Sequence, residues 1–476
     1  MRSLIADGRA RLLSWRRVRE FAVPTLMIET ATARRAAGDW AGACAAAHVD
    51  VDLDLRAVAS GQGRDLAALV RADLRRLAPD LLRWHLPRAV SGGLLRPGLT
   101  MSLARYARDD HDVHLVARTA PSWADAGQRI SLALWDPAEP DVGPHPRPRP
   151  DRRFRLDLHP HLWAADRALE LRDRCGLPGT DPAPDDEAGL EPPDGCGPLG
   201  TDRARNDEAG WMGDVPGGRG FAVRRWTAEA AILRAADGHD GPVAVRLGNG
   251  RRLLLSARGG TVVRGGNGEP VLPHAATWMP PDLELLQAGM ITVELLHPLV
   301  AEALAPAGSA RKPASAGDGG DPVAGRPRLV ECCGETHRLE LVDGRLTPLD
   351  HGDDELRREE LLAILGGPPL PCLRAVTAAA RQPECLDEVR ARLDHGDHAG
   401  AAALVAGILG PEIEPDGALR EAFTDAHEGL IEHGLYRAGL AARVPAGVTA
   451  PVGPREGHAG RRGRHHRLPK RAAVLR

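Results

Sequence analysis

Lysine is almost absent from this chain: Lys312 and Lys470 stand alone among 62 basic residues. Neither occupies the phosphate-binding pattern Gly-x4-Gly-Lys-Ser/Thr, no Gly-x-Gly-x2-Gly follows a strand pattern, and no Gly-x-Ser-x-Gly elbow is present. Common nucleotide, dinucleotide and serine-hydrolase chemistries are therefore disfavoured. Aromatic residues make up only 3% of the chain, so its cores must rest mainly on Leu, Val and Ala. Long apolar runs are missing too, which argues against a membrane helix. The nearest candidate, Ala399 to Leu409, reads as a packed Ala-rich helix.

The 7 cysteines are odd in number and irregularly spaced, unlike a secreted disulfide framework. A reducing cytosol is expected, and residues 1–20 lack the apolar core of a signal peptide. The formal net charge of -3 gives no overall attraction to nucleic acid or membrane. The dominance of Ala, Arg, Gly and Pro fits a GC-rich, bacterial origin.

The clearest structural signal runs from Leu99 to Asp136. Leu99, Met101 and Leu103, then Val113, Leu115 and Ala117, then Ile130, Leu132 and Leu134 each alternate with other residues, which predicts three half-buried strands in an antiparallel meander. Leu66, Leu69, Val70 and Leu74 form an amphipathic helical stripe suited to cover the Leu99, Leu115 and Leu132 side. A second meander is expected over Leu329–Cys333, His337–Val342 and Arg345–Leu349, followed by helices. Asn249-Gly250 predicts a tight hairpin between Val243–Leu247 and Arg251–Ser256. The Pro-rich stretch 137–151 reads as an extended spacer. Phe154 to His159 reads as a strand, and Trp163 toward Cys175 as a helix.

One helical hairpin is written twice. Ala33-Arg34-x3-Gly38-Asp39-x-Ala41-Gly42-Ala43 lines up with Ala391-Arg392-x3-Gly396-Asp397-x-Ala399-Gly400-Ala401, with Asp39 a plausible N-cap. The turn resembles the helix-to-helix turn of tetratricopeptide-type hairpins. Two such hairpins are too few for a solenoid.

The expected fold class is α+β: antiparallel β-meanders packed against helices, with a C-terminal helical bundle and disordered linkers. Residues 1–176 form the N-terminal unit, 177–219 an acidic linker with an internal duplication, and 220–303 a middle hairpin and helix unit. Residues 304–326 form a second linker, 327–441 the C-terminal unit, and 442–476 a basic tail.

Several groups of side chains have donor atoms suited to chemistry. Asp50, Asp52 and Asp54 share one face of an expected strand, as oxygen ligands of a hard cation would, but pairing with Arg explains them equally. Cys333 and His337 flank a turn and have thiolate and imidazole donors suited to zinc, with Cys332, His351, Cys372 and Cys385 as further contributors. No Cys-x2-Cys pair accompanies them. Asp157, His159 and His161 resemble the first metal ligands of amidohydrolases over three positions, without the eightfold strand and helix alternation of a barrel. His427 and His433 are six apart, not the four of a zinc-protease helix.

The spacing alone assigns no catalytic residue, no metal ligand and no cofactor. In the tail, Arg461, Arg462, Arg464, Arg467, Lys470 and Arg471 offer a polyanion contact. The expected function is that of a non-enzymatic cytosolic interaction or adaptor protein with a protein partner and no membrane attachment. The alternatives are polyanion binding by the tail, or a metal-dependent enzyme with a site assembled from distant His, Asp and Cys residues.

Overall fold

The computed structural model describes residues 11–177, 209–304, 328–361, 370–372, 385–409 and 415–440, with short breaks inside these spans. Most of the 177–219 and 304–326 stretches lie outside the described residues. So does the 442–476 tail with Arg461, Arg462, Arg464, Arg467, Lys470 and Arg471, and the expected helices 355–365 and 373–380 are largely outside. The fold is mixed α and β. The chain divides into two compact units, one of Met1–Asp125, Arg129–Ala307 and Arg437–Arg476, the other of Ala126–Gln128 and Gly308–Tyr436. No described helix is long and apolar enough to cross a membrane.

The first unit opens with a helical hairpin, α1 (Thr25–Ala36) and α2 (Trp40–Ala46). Asp39 caps α2 by accepting from the Gly42 N–H, and Gly38 makes the turn at a φ of 77° that L side chains rarely adopt. β1 (Val49–Val51) follows. The expected strand does not continue, because Asp54 accepts from the Arg56 N–H and starts α3 (Leu55–Gly61). Beyond it come α4 (Arg64–Arg76) and α5 (Pro79–His85).

The predicted meander is present as β2 (Thr100–Ala107), β3 (Asp112–Thr119) and β4 (Ile130–Trp135), with β1 added parallel to β4 in the order β1-β4-β3-β2. Leu66, Val70 and Leu74 of α4 share one core with Leu99, Leu115 and Leu132, as the stripe predicted. Each such side chain contributes about 1.5–3 kcal/mol of apolar burial. Leu69 departs from the expectation and is exposed. It stands about 100° around the helix from the middle of the Leu66, Val70, Leu74 stripe.

Two further expectations are corrected. The Pro-rich stretch is no spacer: His145 is buried and the Thr100 hydroxyl donates to the Arg147 carbonyl at 2.6 Å, so the segment lies along β2. Residues 154–162 form single 3-10 turns, Leu156–Leu158 and Pro160–Leu162, and the following helix shrinks to Glu170–Arg174. Proline at 160 cannot donate to a ladder, and only Arg155 bridges to Ser102.

Downstream, α6 (Trp226–Asp237) covers the sheet β5 (Val243–Gly248), β6 (Arg251–Ser256) and β7 (Gly259–Arg264), in the order β5-β6-β7. Within the stretch expected as linker, Ala209–Met212 is helical, and Trp211 stacks on Trp226 with centroids 6.0 Å apart. The helices α7 (Pro281–Gln287) and α8 (Pro298–Leu304) place Leu285, Val300 and Leu304 in the core of the N-terminal residues. The 220–303 segment is thus part of the first unit, joined to it by apolar burial that chain distance does not reveal.

The second unit contains a meander of β8 (Arg328–Cys332), β9 (Glu335–Val342) and β10 (Arg345–Pro348), in the order β10-β9-β8. Its helices are α9 (Leu386–Asp394), α10 (His398–Leu409) and α11 (Gly417–Arg437). The turn between α9 and α10 repeats that between α1 and α2. Asp397 accepts from the Gly400 N–H at 2.9 Å and from Arg392 at 2.8 Å, as Asp39 does from Gly42 at 2.8 Å and Arg34 at 3.1 Å.

Candidate metal centre

Four side chains of the second unit converge. In the β8–β9 pair, Val330 lies opposite His337, and Cys332 is two residues beyond Val330 on the same strand. Side chains alternate along a strand, so Val330, Cys332 and His337 share one sheet face. His351 joins from the bend after β10, and Cys372 from the short segment at 370–372. The donor atoms of Cys332, His337, His351 and Cys372 all lie within 4.8 Å of one another.

His337 Nδ1 lies 2.7 Å from His351 Nε2 and 3.7 Å from Cys372 Sγ. Zinc bonds of about 2.3 Å to sulfur and 2.0 Å to nitrogen place tetrahedral donors roughly 3.3–3.8 Å apart. The imidazole–thiol separation of 3.7 Å falls inside that span, and the two imidazoles, at 2.7 Å, stand closer than it. Cys332, His337 and Cys372 are buried, while His351 is half-buried. Val330 and Leu370 pack against the two cysteines, which are thiols and not a disulfide. The Asp350 carboxylate accepts from the Arg338 N–H at 2.8 Å and so ties the His351 bend to β9.

Two thiolates and two imidazoles match the donor preference of zinc, and four protein ligands complete a tetrahedron. Such a centre has no position left for a substrate. The arrangement suits a structural ion, whose binding energy becomes folding energy of the unit.

The other sequence candidates do not converge in this way. Asp50 is held by Arg129 at 2.6 and 3.0 Å, Asp52 is exposed, and Asp54 is spent on capping α3. Asp157 is bound by Arg155, and His159 sits between the Arg155 carbonyl and Glu229. His161 is buried separately, its ring 5.7 Å from that of His159. On α11, His427 is exposed and His433 buried. Cys385 packs with Leu386 and Val389 in another cluster, and Cys333 lies outside the described residues. Among the described residues, no other group of three or more Cys, His or carboxylate side chains brings its donors as close.

The first unit holds a second concentration of charged groups, directed at each other. Asp282, on the first turn of α7, accepts from Arg19 at 2.6 and 3.0 Å and from the Trp84 indole at 3.0 Å. His297 pairs with Asp80 at 2.9 Å. Burial would raise the Glu229 carboxyl, but His159, Arg174 and Arg225 outweigh it and lower its pKa to about 2. Burial lowers the His85 pKa to about 4, with the Asp282 charge opposing and the charges of Arg19 and His297 reinforcing. These groups join segments far apart in the chain.

No protein-family model, curated protein or solved structure matches the chain.

All four residues of the cluster were visible in the sequence as possible zinc donors. Their selection from among Cys333 and Cys385 was not, because Cys372 is brought in by the path of the chain and no local spacing records that.

Proposed function

We propose that this is a zinc-binding, non-enzymatic interaction protein. One structural zinc ion bound by Cys332, His337, His351 and Cys372 holds the second unit in the shape that a protein partner recognises. The observation carrying this reading is the convergence of four donors within 4.8 Å, three of them on buried side chains. Four protein ligands favour a structural over a catalytic ion. Thiolate ligation requires reduced cysteines, which supports a cytoplasmic setting.

The test is elemental analysis of untagged full-length protein purified without chelator, beside Cys372→Ser. The expected result is about one zinc per chain in the parent and a large loss in the variant. A parent that stays well below one equivalent even after incubation with zinc overturns the reading. Mild crosslinking in lysate, with and without prior zinc removal, tests the interaction role: partner capture should depend on zinc.

A further inference from the structure

The Pro-rich strip beside β2 carries Arg147 and Arg149 between prolines. Its backbone is pinned: the Thr100 hydroxyl donates to the Arg147 carbonyl at 2.6 Å, and the Asp151 N–H donates to the Thr100 carbonyl at 2.9 Å. His145 Nε2 lies 3.1 Å from the Thr119 carbonyl. Proline restricts the backbone in advance, so a ligand binding here would order little more of it.

Neither arginine is needed for this anchoring through its side chain. Both side chains are exposed, and neither has a carboxylate partner among the described residues. They line an open cleft of about 210 Å³ with Leu99, Thr100 and Asp151. Asp151 is already engaged, with Arg153 Nε 3.0 Å from each of its oxygens. Burial would raise the Asp151 carboxyl, yet Arg153 and Arg246 outweigh it and hold it below its ordinary value.

Arg153 shares the Phe154 ring with Arg96, each guanidinium 5.4 Å from its centroid. Burial lowers the Arg96 pKa and the charge of Arg153 lowers it further. Arg153 thus neutralises the one carboxylate on the cleft lining, and the charges of Arg147 and Arg149 keep no carboxylate partner among the described residues. An anion would supply the missing counter-charge, and the planar fork of arginine matches the oxygens of phosphate.

We propose that the Arg147/Arg149 cleft binds a phosphate group, either of a free phosphate compound or of a nucleic-acid backbone. It lies in the first unit and does not depend on the metal centre. The probes are pyrophosphate, followed by calorimetry, and a labelled DNA duplex, followed by anisotropy over a range of salt. Both use full-length protein with its tail intact. Arg147→Gln/Arg149→Gln is compared with Arg71→Gln/Arg75→Gln, which removes two exposed charges from α4.

For a free phosphate ligand, the cleft variant weakens pyrophosphate binding about ten-fold or more, the α4 variant does not, and the salt dependence of duplex binding is the same in all three proteins. For a nucleic-acid backbone, the slope of log affinity against log salt becomes shallower by about two in the cleft variant alone. A cleft variant equal to the parent with both probes overturns the proposal.

Discussion

The rings of His337 and His351 stand edge to face, 84° apart in plane, with Nδ1 of the first 2.7 Å from Nε2 of the second. One ring comes from a central strand and the other from a bend, so their relation depends on what holds the bend. Asp350 supplies that hold by accepting the Arg338 N–H. Asp350→Ala should weaken zinc binding about 10–100-fold, as loss of an outer-shell partner does elsewhere. Competition with a chromogenic chelator measures this. Unchanged affinity would show that the bend is positioned without Asp350.

Removing the Asp282 carboxylate should destabilise the first unit strongly. Arg19 is buried against it, and Asp282→Ala leaves that guanidinium without its counter-charge. The expected cost is about 3–5 kcal/mol. Urea unfolding followed by tryptophan fluorescence reads it directly, since Trp84 also donates to Asp282.

Acid should destabilise the first unit in two overlapping steps. Burial lowers the His85 pKa to about 4, and burial with the charges of Arg96 and Arg153 lowers that of His274 to about 3. The unfolded chain takes up these protons near pH 6.5, so stability falls as the pH drops below that value towards 4 and then 3. Glu229 has its pKa lowered to about 2, so its contribution is present above about pH 4.5 and is lost from there towards 2. Urea midpoints at pH 7.5, 5.5 and 4 should decline in that order. His85→Leu should flatten the interval between pH 6.5 and 4.

The two hairpin turns should respond alike. Asp39→Ala and Asp397→Ala each remove an N-cap worth about 1 kcal/mol. Gly42→Ala and Gly400→Ala should do similar damage, because an added Cβ would fall 2.1 Å from the capping carboxylate at either site. Hydrogen exchange localised to α1–α2 or α9–α10 distinguishes the hairpins. A loss confined to one of them would mean that the shared geometry does not carry equal weight.

The sequence by itself determined what depends on near neighbours. Alternation at Leu99 to Leu134 set the meander and its buried face, Gly250 turns between β5 and β6 at a φ of 72°, and the Arg, Gly and Asp of each hairpin were written in matching positions. These features rest on strand period, turn conformation and capping, all of which act over a few residues. Tertiary structure decided what depends on separation in space. It placed Cys372 beside His337, turned Leu69 outward, laid Pro144–Pro150 along β2, and seated Asp282 against Arg19. Burial and charge pairing reward proximity regardless of chain distance, so a list of residue spacings holds no record of which distant partners will meet.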